Sequence, residues 1–109
     1  MATFKDRQTG EEAKFARTAE LDFKITARRN KLLGLWVAEK IGVTGPAADT
    51  YAKDVVQADF SEPGSEDVFR KVWADLQKAK ADVSEHQVRR EMDRLKEVAA
   101  GQIQSEAAK

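Results

Sequence analysis

The sequence predicts an all-α protein: a four-helix bundle with a long first helix and a flexible N-terminal segment. Three observations predict it. Apolar residues recur at spacings of three and four in separate stretches, as one face of a helix requires. Those stretches are bounded by capping residues, by Pro46, or by Gly and Pro-Gly stops. The composition, 41% hydrophobic and 35% charged with two prolines and no cysteine, is that of helices half covered and half solvated. No stretch alternates with the period of a strand, and there is no internal repeat or low-complexity tract. A chain of 109 residues is one domain by size.

Residues 1–18 form the flexible segment. Their apolar side chains are sparse, chiefly Phe4, Ala13, Phe15 and Ala16, and Gln8-Thr9-Gly10 interrupts any helical run. Alone, such a segment buries too little to offset its ordering entropy. Yet Phe4 and Phe15 stand 11 residues apart, close to three helical turns, and Arg7, Glu11 and Lys14 fall near that side. The pattern is a latent amphipathic helix suited to folding in a partner's groove. A solvated tail with two stray aromatics is the plainer alternative.

The four-helix domain is expected over 19–109, with helices at about 19–41, 46–60, 66–81 and 85–104. Thr18 is the N-cap of the first, with Glu20 in its first turn. Phe23 and Ala27 make one seam, Leu21 and Ile25 another. From Leu32 onward the helix is apolar on most of its circumference: Leu32, Leu35 and Trp36 lie on one stripe, Leu33, Val37 and Ile41 on another. A helix of that kind is covered on several sides, so it is the centre of the bundle. Trp36 is expected in the core, its truncation to Ala costing about 3–5 kcal/mol. Gly34 costs about 1 kcal/mol against Ala inside a helix, and close approach of another helix backbone is the compensating gain. Gly42 is the stop, after Lys40 in the last turn. A helix of this length reaches roughly 36 Å, so its polar half, Glu20 to Lys31, is expected to project past its neighbours.

Thr44 or Gly45 caps the second helix, Pro46 sits in its first turn, and Tyr51, Val55 and Ala58 form its stripe. Ser61-Glu62-Pro63-Gly64 ends it, and Ser65 caps the third helix, whose stripe is Phe69, Val72, Trp73 and Leu76. Ser84 and Gln87 stand at the spacing of a capping box before the fourth stripe: Val88, Met92, Leu95, Ala99 and Ile103. Glu85 and Arg89 are an i,i+4 pair in the favourable order. Residues 104–109 are expected to fray.

The net charge of zero conceals a gradient. Residues 1–31 carry eight bases and five acids, 32–83 six and nine, and 84–109 five of each. A neutral chain argues against nucleic acid, while a basic leading third suits an acidic patch on a protein. Lys24, Arg28, Arg29 and Lys31 are the candidate docking surface for such a patch, with an ordinary solvated helix face as the alternative. No catalytic residue is assigned: His86 is the single histidine, and no cysteine stands beside it as a nucleophile. No metal-ligand spacing occurs, the Gly42–Pro46 turn lacks the Gly-Lys-Ser/Thr of a phosphate loop, and no cofactor is implied. The chain has neither a run long enough to span a bilayer nor a secretory h-region at its start.

Ala27-Arg28-Arg29-Asn30-Lys31-Leu32-Leu33-Gly34-Leu35-Trp36 resembles the signature of the bacterial zeta subunit family, inhibitors of the F-type ATP synthase. The resemblance continues through Glu12–Ala16, Tyr51–Lys53, Ala58–Phe60 and Glu66–Lys71, nearly the whole chain. It implies a non-enzymatic inhibitory subunit that binds the catalytic head and blocks ATP hydrolysis. Residues 1–18 would insert between catalytic subunits and fold as they bind. The partners implied are the catalytic alpha and beta subunits and the rotary-shaft gamma subunit. Phe4 and Phe15 would anchor the inserted helix; Arg7, Lys14 and Arg17 would meet subunit carboxylates, with Glu11 on the same side. The free protein would be a cytoplasmic monomer, peripheral to the inner membrane through the synthase and not inserted in it. The chain departs from the family at Gln8-Thr9-Gly10, where members carry a more helix-forming, partly apolar run. The alternative is a helical adaptor or small-ligand binding domain acting through its bundle surface, with inhibition weak or lost.

Overall fold

Thr18 starts the first helix as its sequence predicts. Its backbone is extended, and its hydroxyl accepts from the Leu21 amide at 3.0 Å, satisfying one of the donors that a helix start leaves bare. From this cap α1 runs over Ala19–Lys40. The computed structural model describes residues 18–58 and 66–107. Within them follow α2 (Pro46–Ala58), α3 (Glu66–Lys78) and α4 (Glu85–Ala107), and no strand occurs among the described residues. The expected end of the second helix at residue 60, the Ser61–Gly64 break and the Ser65 cap lie outside the described residues.

The helix ends are built from backbone hydrogen bonds. At the end of α1 the Gly42 amide donates to the Glu39 carbonyl and the Val43 amide to the Ala38 carbonyl, with Gly42 at φ +82°. This paired closure on a left-handed residue is the Schellman arrangement. The end of α3 repeats it. Lys80 donates to Gln77 and Ala81 to Leu76, but the left-handed residue is Lys80 at φ 57°. A lysine there is strained where a glycine is not, so the sequence carries no stop signal, and the expected end at residue 81 is corrected to Lys78. Ala81 and Val83, turned back against the core, hold the closure in place. The α4 start is a reciprocal capping box: Ser84 Oγ accepts from the Gln87 amide at 3.1 Å, and Gln87 Oε1 from the Ser84 amide at 2.8 Å.

The main core joins Leu33 and Val37 of α1 and Val55 of α2 to the apolar stripes of α3 and α4. Its tightest point is Gly34. A Cβ built there would lie 2.6 Å from the Ala52 Cα and 3.2 Å from Val55 Cγ2. The backbones of α1 and α2 therefore touch, as the glycine implies. Trp36 packs at the edge of this core, only partly buried, with Lys40 Nζ 5.3 Å from its ring centre. The expected cost of a fully buried tryptophan is too large for such a position.

A smaller cluster joins Ile25 of α1 to Ala99 and Ile103 of α4. It corrects three expectations. The polar half of α1 does not project, because the last turns of α4 cover it. Ile25 is fully buried with Leu21 packed partly buried against it, whereas Phe23 is 57% exposed. And α4 stays helical to Ala107 rather than fraying after 104, since Ile103 is buried against Ile25 and Arg28 holds the following turn.

Candidate interaction surface

The residues assigned to the inhibitory arm, Phe4, Arg7, Glu11, Lys14, Phe15 and Arg17, lie outside the described residues. The second assigned group, Lys24, Arg28, Arg29 and Lys31, is described in full, and the structure divides it. Helical spacing puts Lys24, Arg28 and Lys31 on one side of α1, where they line a groove of about 410 Å³. Its apolar lining comes from three helices: Phe23 of α1, Val56 of α2 and Ile103 of α4. Arg28 is fixed across the groove. One guanidinium nitrogen donates to Gln102 Oε1 at 2.7 Å and lies 2.9 Å from Glu106 Oε2, while the other donates to Glu106 Oε1 at 3.0 Å. Among the described residues neither Lys24 nor Lys31 has a carboxylate partner.

Arg29 points the other way. It is 6% exposed, and its Nε donates to Oδ1 of the fully buried Asn30 at 2.7 Å. Arg29 is therefore not part of a docking surface; it belongs to the interior of the bundle. The signal that could have found this is helical phase. Ile25, Arg29 and Leu33 are spaced by four, and Asn30, Leu33, Gly34 and Val37 by three, four and seven, so both polar residues sit on the buried stripe of α1.

The other charge clusters are structural. The Tyr51 hydroxyl donates to Asp75 Oδ2 at 2.6 Å, and Lys71 Nζ donates to the same oxygen at 2.9 Å, joining α2 to α3. Burial first, then the Asp75 hydrogen bond, push the Tyr51 phenol well above its ordinary range. Burial alone would raise the Asp75 carboxyl. The hydrogen bonds from Tyr51 and Lys71, with the Lys71 and Lys78 charges, outweigh it, so the net direction is down. Between α3 and α4, Arg89 lies 3.1 Å from Glu66 and stacks 3.8 Å from the centre of the Phe69 ring. It also makes the expected pair with Glu85, at 3.4 Å. Hydrogen bonds from Arg89 first, then its charge, lower the Glu66 carboxyl. A second groove is lined by Trp36 together with Arg90, Arg94, Glu91 and Asp93. Its charges balance, and Arg94 is already bound to Glu91 at 2.5 Å. Among the described residues no acid, histidine or cysteine cluster is placed to hold a metal ion, and no helix is long and apolar enough to cross a membrane.

The family model for ATPase inhibitor subunit zeta matches residues 1–102. The chain belongs to that family. The match takes in both the leading arm and the four helices, as the resemblance around Ala27–Trp36 implied. This zeta-family chain is also similar to a protein whose structure was solved in solution by NMR, at 49% identity and a TM-score of 0.71. That likeness covers 79% of this chain and 98% of the other. Among curated proteins no sequence matches. The inhibitory, regulatory role follows from the family. What sequence reasoning missed was the far wall of the Lys24 groove, because Val56, Ile103 and Glu106 come to α1 only through the bundle's packing.

Proposed function

We propose that this zeta-family chain is a non-enzymatic inhibitory subunit of the F-type ATP synthase, acting by a wedge at its N-terminus. The four-helix block is the handle, and residues 1–17, ahead of the Thr18 cap, are the effector. The observation that carries this reading is the extent of the family match, which begins at residue 1 and so includes the arm. Rotary catalysis needs the interfaces between catalytic subunits to open and close, and a helix lodged in one of them holds it closed. No chemistry is required of the inhibitor. Phe4 and Phe15 anchor the helix in that interface of alpha and beta subunits, near the gamma shaft; Arg7, Lys14 and Arg17 meet carboxylates, and Glu11 lies on the contact side. Ordering the arm consumes part of its binding energy, about 2–5 kcal/mol for a coupled folding event. The chain works in the cytoplasm as a monomer until it joins the membrane-bound synthase.

The test is ATP hydrolysis by the cognate ATPase with the full chain and with a chain lacking residues 1–17, which keeps the Thr18 cap. The full chain is expected to inhibit and the shortened one not to. Equal hydrolysis with both would overturn the wedge. Gly10→Ala is expected to strengthen inhibition, because it removes a helix-interior glycine worth about 1 kcal/mol from the bound helix. Unchanged potency would show that the bound arm is not helical at that position.

A further inference from the structure

We propose that the groove between α1, the end of α2 and the last turns of α4 is a second docking site, occupied by an acidic amphipathic helix of the same ATPase. The proposal rests on the reading above for the identity of the partner, but concerns a surface remote in sequence from the arm. Three features converge on the groove. Lys24 and Lys31 stand on its rim with no carboxylate partner among the described residues. Arg28 is held rigid by Gln102 and Glu106, so the one lining carboxylate is already committed and the rim keeps an excess of two positive charges. Phe23, 57% exposed, adds an aromatic face beside Val56 and Ile103. A single exposed aromatic is ordinary. An exposed aromatic that lines a groove between helices, beside two cations with no carboxylate partner among the described residues, has the form of a helix-in-groove receptor: an apolar anchor enters and acids flank it.

Charge selects the occupant. A second copy docking groove to groove would bring the same cations to the same place. The chain's own arm carries Lys5, Arg7, Lys14 and Arg17 against Asp6, Glu11 and Glu12, a net positive segment. Both are repelled where an acidic helix is attracted. Glu20, one turn before Lys24 and exposed, does not line the groove.

The experiment measures binding of the full chain to the purified ATPase, and hydrolysis at saturating inhibitor, for four proteins: wild type, Lys24→Glu/Lys31→Glu, Lys24→Gln/Lys31→Gln and Lys40→Glu. Lys40 lies at the opposite end of α1, over the Trp36 ring, and its reversal changes the net charge by two, as the neutral pair does. The charge reversal is expected to weaken Kd at least tenfold and the neutral pair by less. Both are expected to flatten the salt dependence, to leave maximal inhibition intact, and to melt like the wild type. Lys40→Glu is expected to change Kd less than twofold. The neutral pair adds no charge to α1 and keeps the measurement decisive should the reversal disturb folding. Unchanged Kd in both Lys24/Lys31 variants, or equal weakening by Lys40→Glu, overturns the groove while leaving the arm's role intact. A concentration-dependent dimer of the chain alone, lost in the Lys24/Lys31 variants, assigns the groove to a second copy and also overturns the proposal. A wild type that fails to bind the ATPase overturns the functional reading, and this one with it.

Discussion

In its C-terminal half α1 lies with its backbone against α2, Gly34 on Ala52, and contributes Leu33 and Val37 to a core shared by all four helices of the described residues. In its N-terminal half the same helix is held by a small cluster, Ile25 on Ala99 and Ile103, and by the Arg28 bridge to the last turns of α4. The former is closed at Gly34, where not even a Cβ fits. The latter keeps open surface, and that surface carries Lys24 and Lys31, which have no carboxylate partner among the described residues, beside a Phe23 that is 57% exposed. Dense packing and available chemistry exclude each other, because a side chain committed to neighbours on every side has no face left for a partner.

Four substitutions break or sharpen the contrast, from the largest effect to the smallest. Leu33→Ala removes a fully buried side chain from the shared core. It is expected to cost about 3–5 kcal/mol, the upper part of the range for such truncations, read by denaturant unfolding. A loss below 1 kcal/mol would show that the C-terminal half is not the tighter one.

Gly34→Ala and Gly101→Ala make the sharpest pair, because both glycines lie inside helices. At Gly34 the new methyl meets the Ala52 backbone at 2.6 Å, so something must shift. The expected result is a destabilisation of about 1–3 kcal/mol, the range for overpacking, despite the better helix propensity of Ala. At Gly101, in the α4 tail, nothing lies within 4 Å. There the same change should stabilise by about 0.5–1 kcal/mol, the propensity difference with no clash against it. If the two changes had the same sign in thermal melts, the contact at Gly34 would not be rigid.

Tyr51→Phe tests the polar tie between α2 and α3. Losing the hydroxyl is expected to cost about 1 kcal/mol near neutral pH. The Asp75 carboxyl is lowered in the folded protein, so its contribution is present above the ordinary aspartate value of about 3.9 and is lost as pH falls through the lowered one. The Tyr51 phenol is raised, so its contribution is complete below about 10 and is lost as pH rises beyond. In the variant, the acid limb of the stability profile should therefore move to higher pH and the alkaline limb should lose the Tyr51 component. An unchanged acid limb would mean that Lys71 alone holds Asp75.

Much of the fold was legible because its signals are local. The Ser84/Gln87 box, the Thr18 cap, the Gly42 stop and the 3–4 stripes each need only neighbours in the chain, and each helix formed where they stood. The end of α3 was not legible, since Lys80 takes the left-handed conformation that a glycine normally announces. Trp36 and Phe23 lie further out than their hydrophobicity suggests, because hydrophobicity says that a side chain prefers burial, not whether a neighbour arrives to bury it. Arg29 lies further in than its charge suggests, for the converse reason. Its charge suggested the surface, while its helical phase put it on the buried stripe, and the phase prevailed.

From the sequence alone came the helices, their order, the neutral charge with its basic leading third, and the family signature. All of these are properties of residues close together in the chain. Tertiary structure alone decided which of the clustered cations faces out, that α4 covers the polar half of α1, and that Val56, Ile103 and Glu106 complete a groove with Lys24 and Lys31. The physical reason is range. Caps and stripes act over one or two turns, whereas a groove is the gap left between three helices, and its shape depends on how close they come.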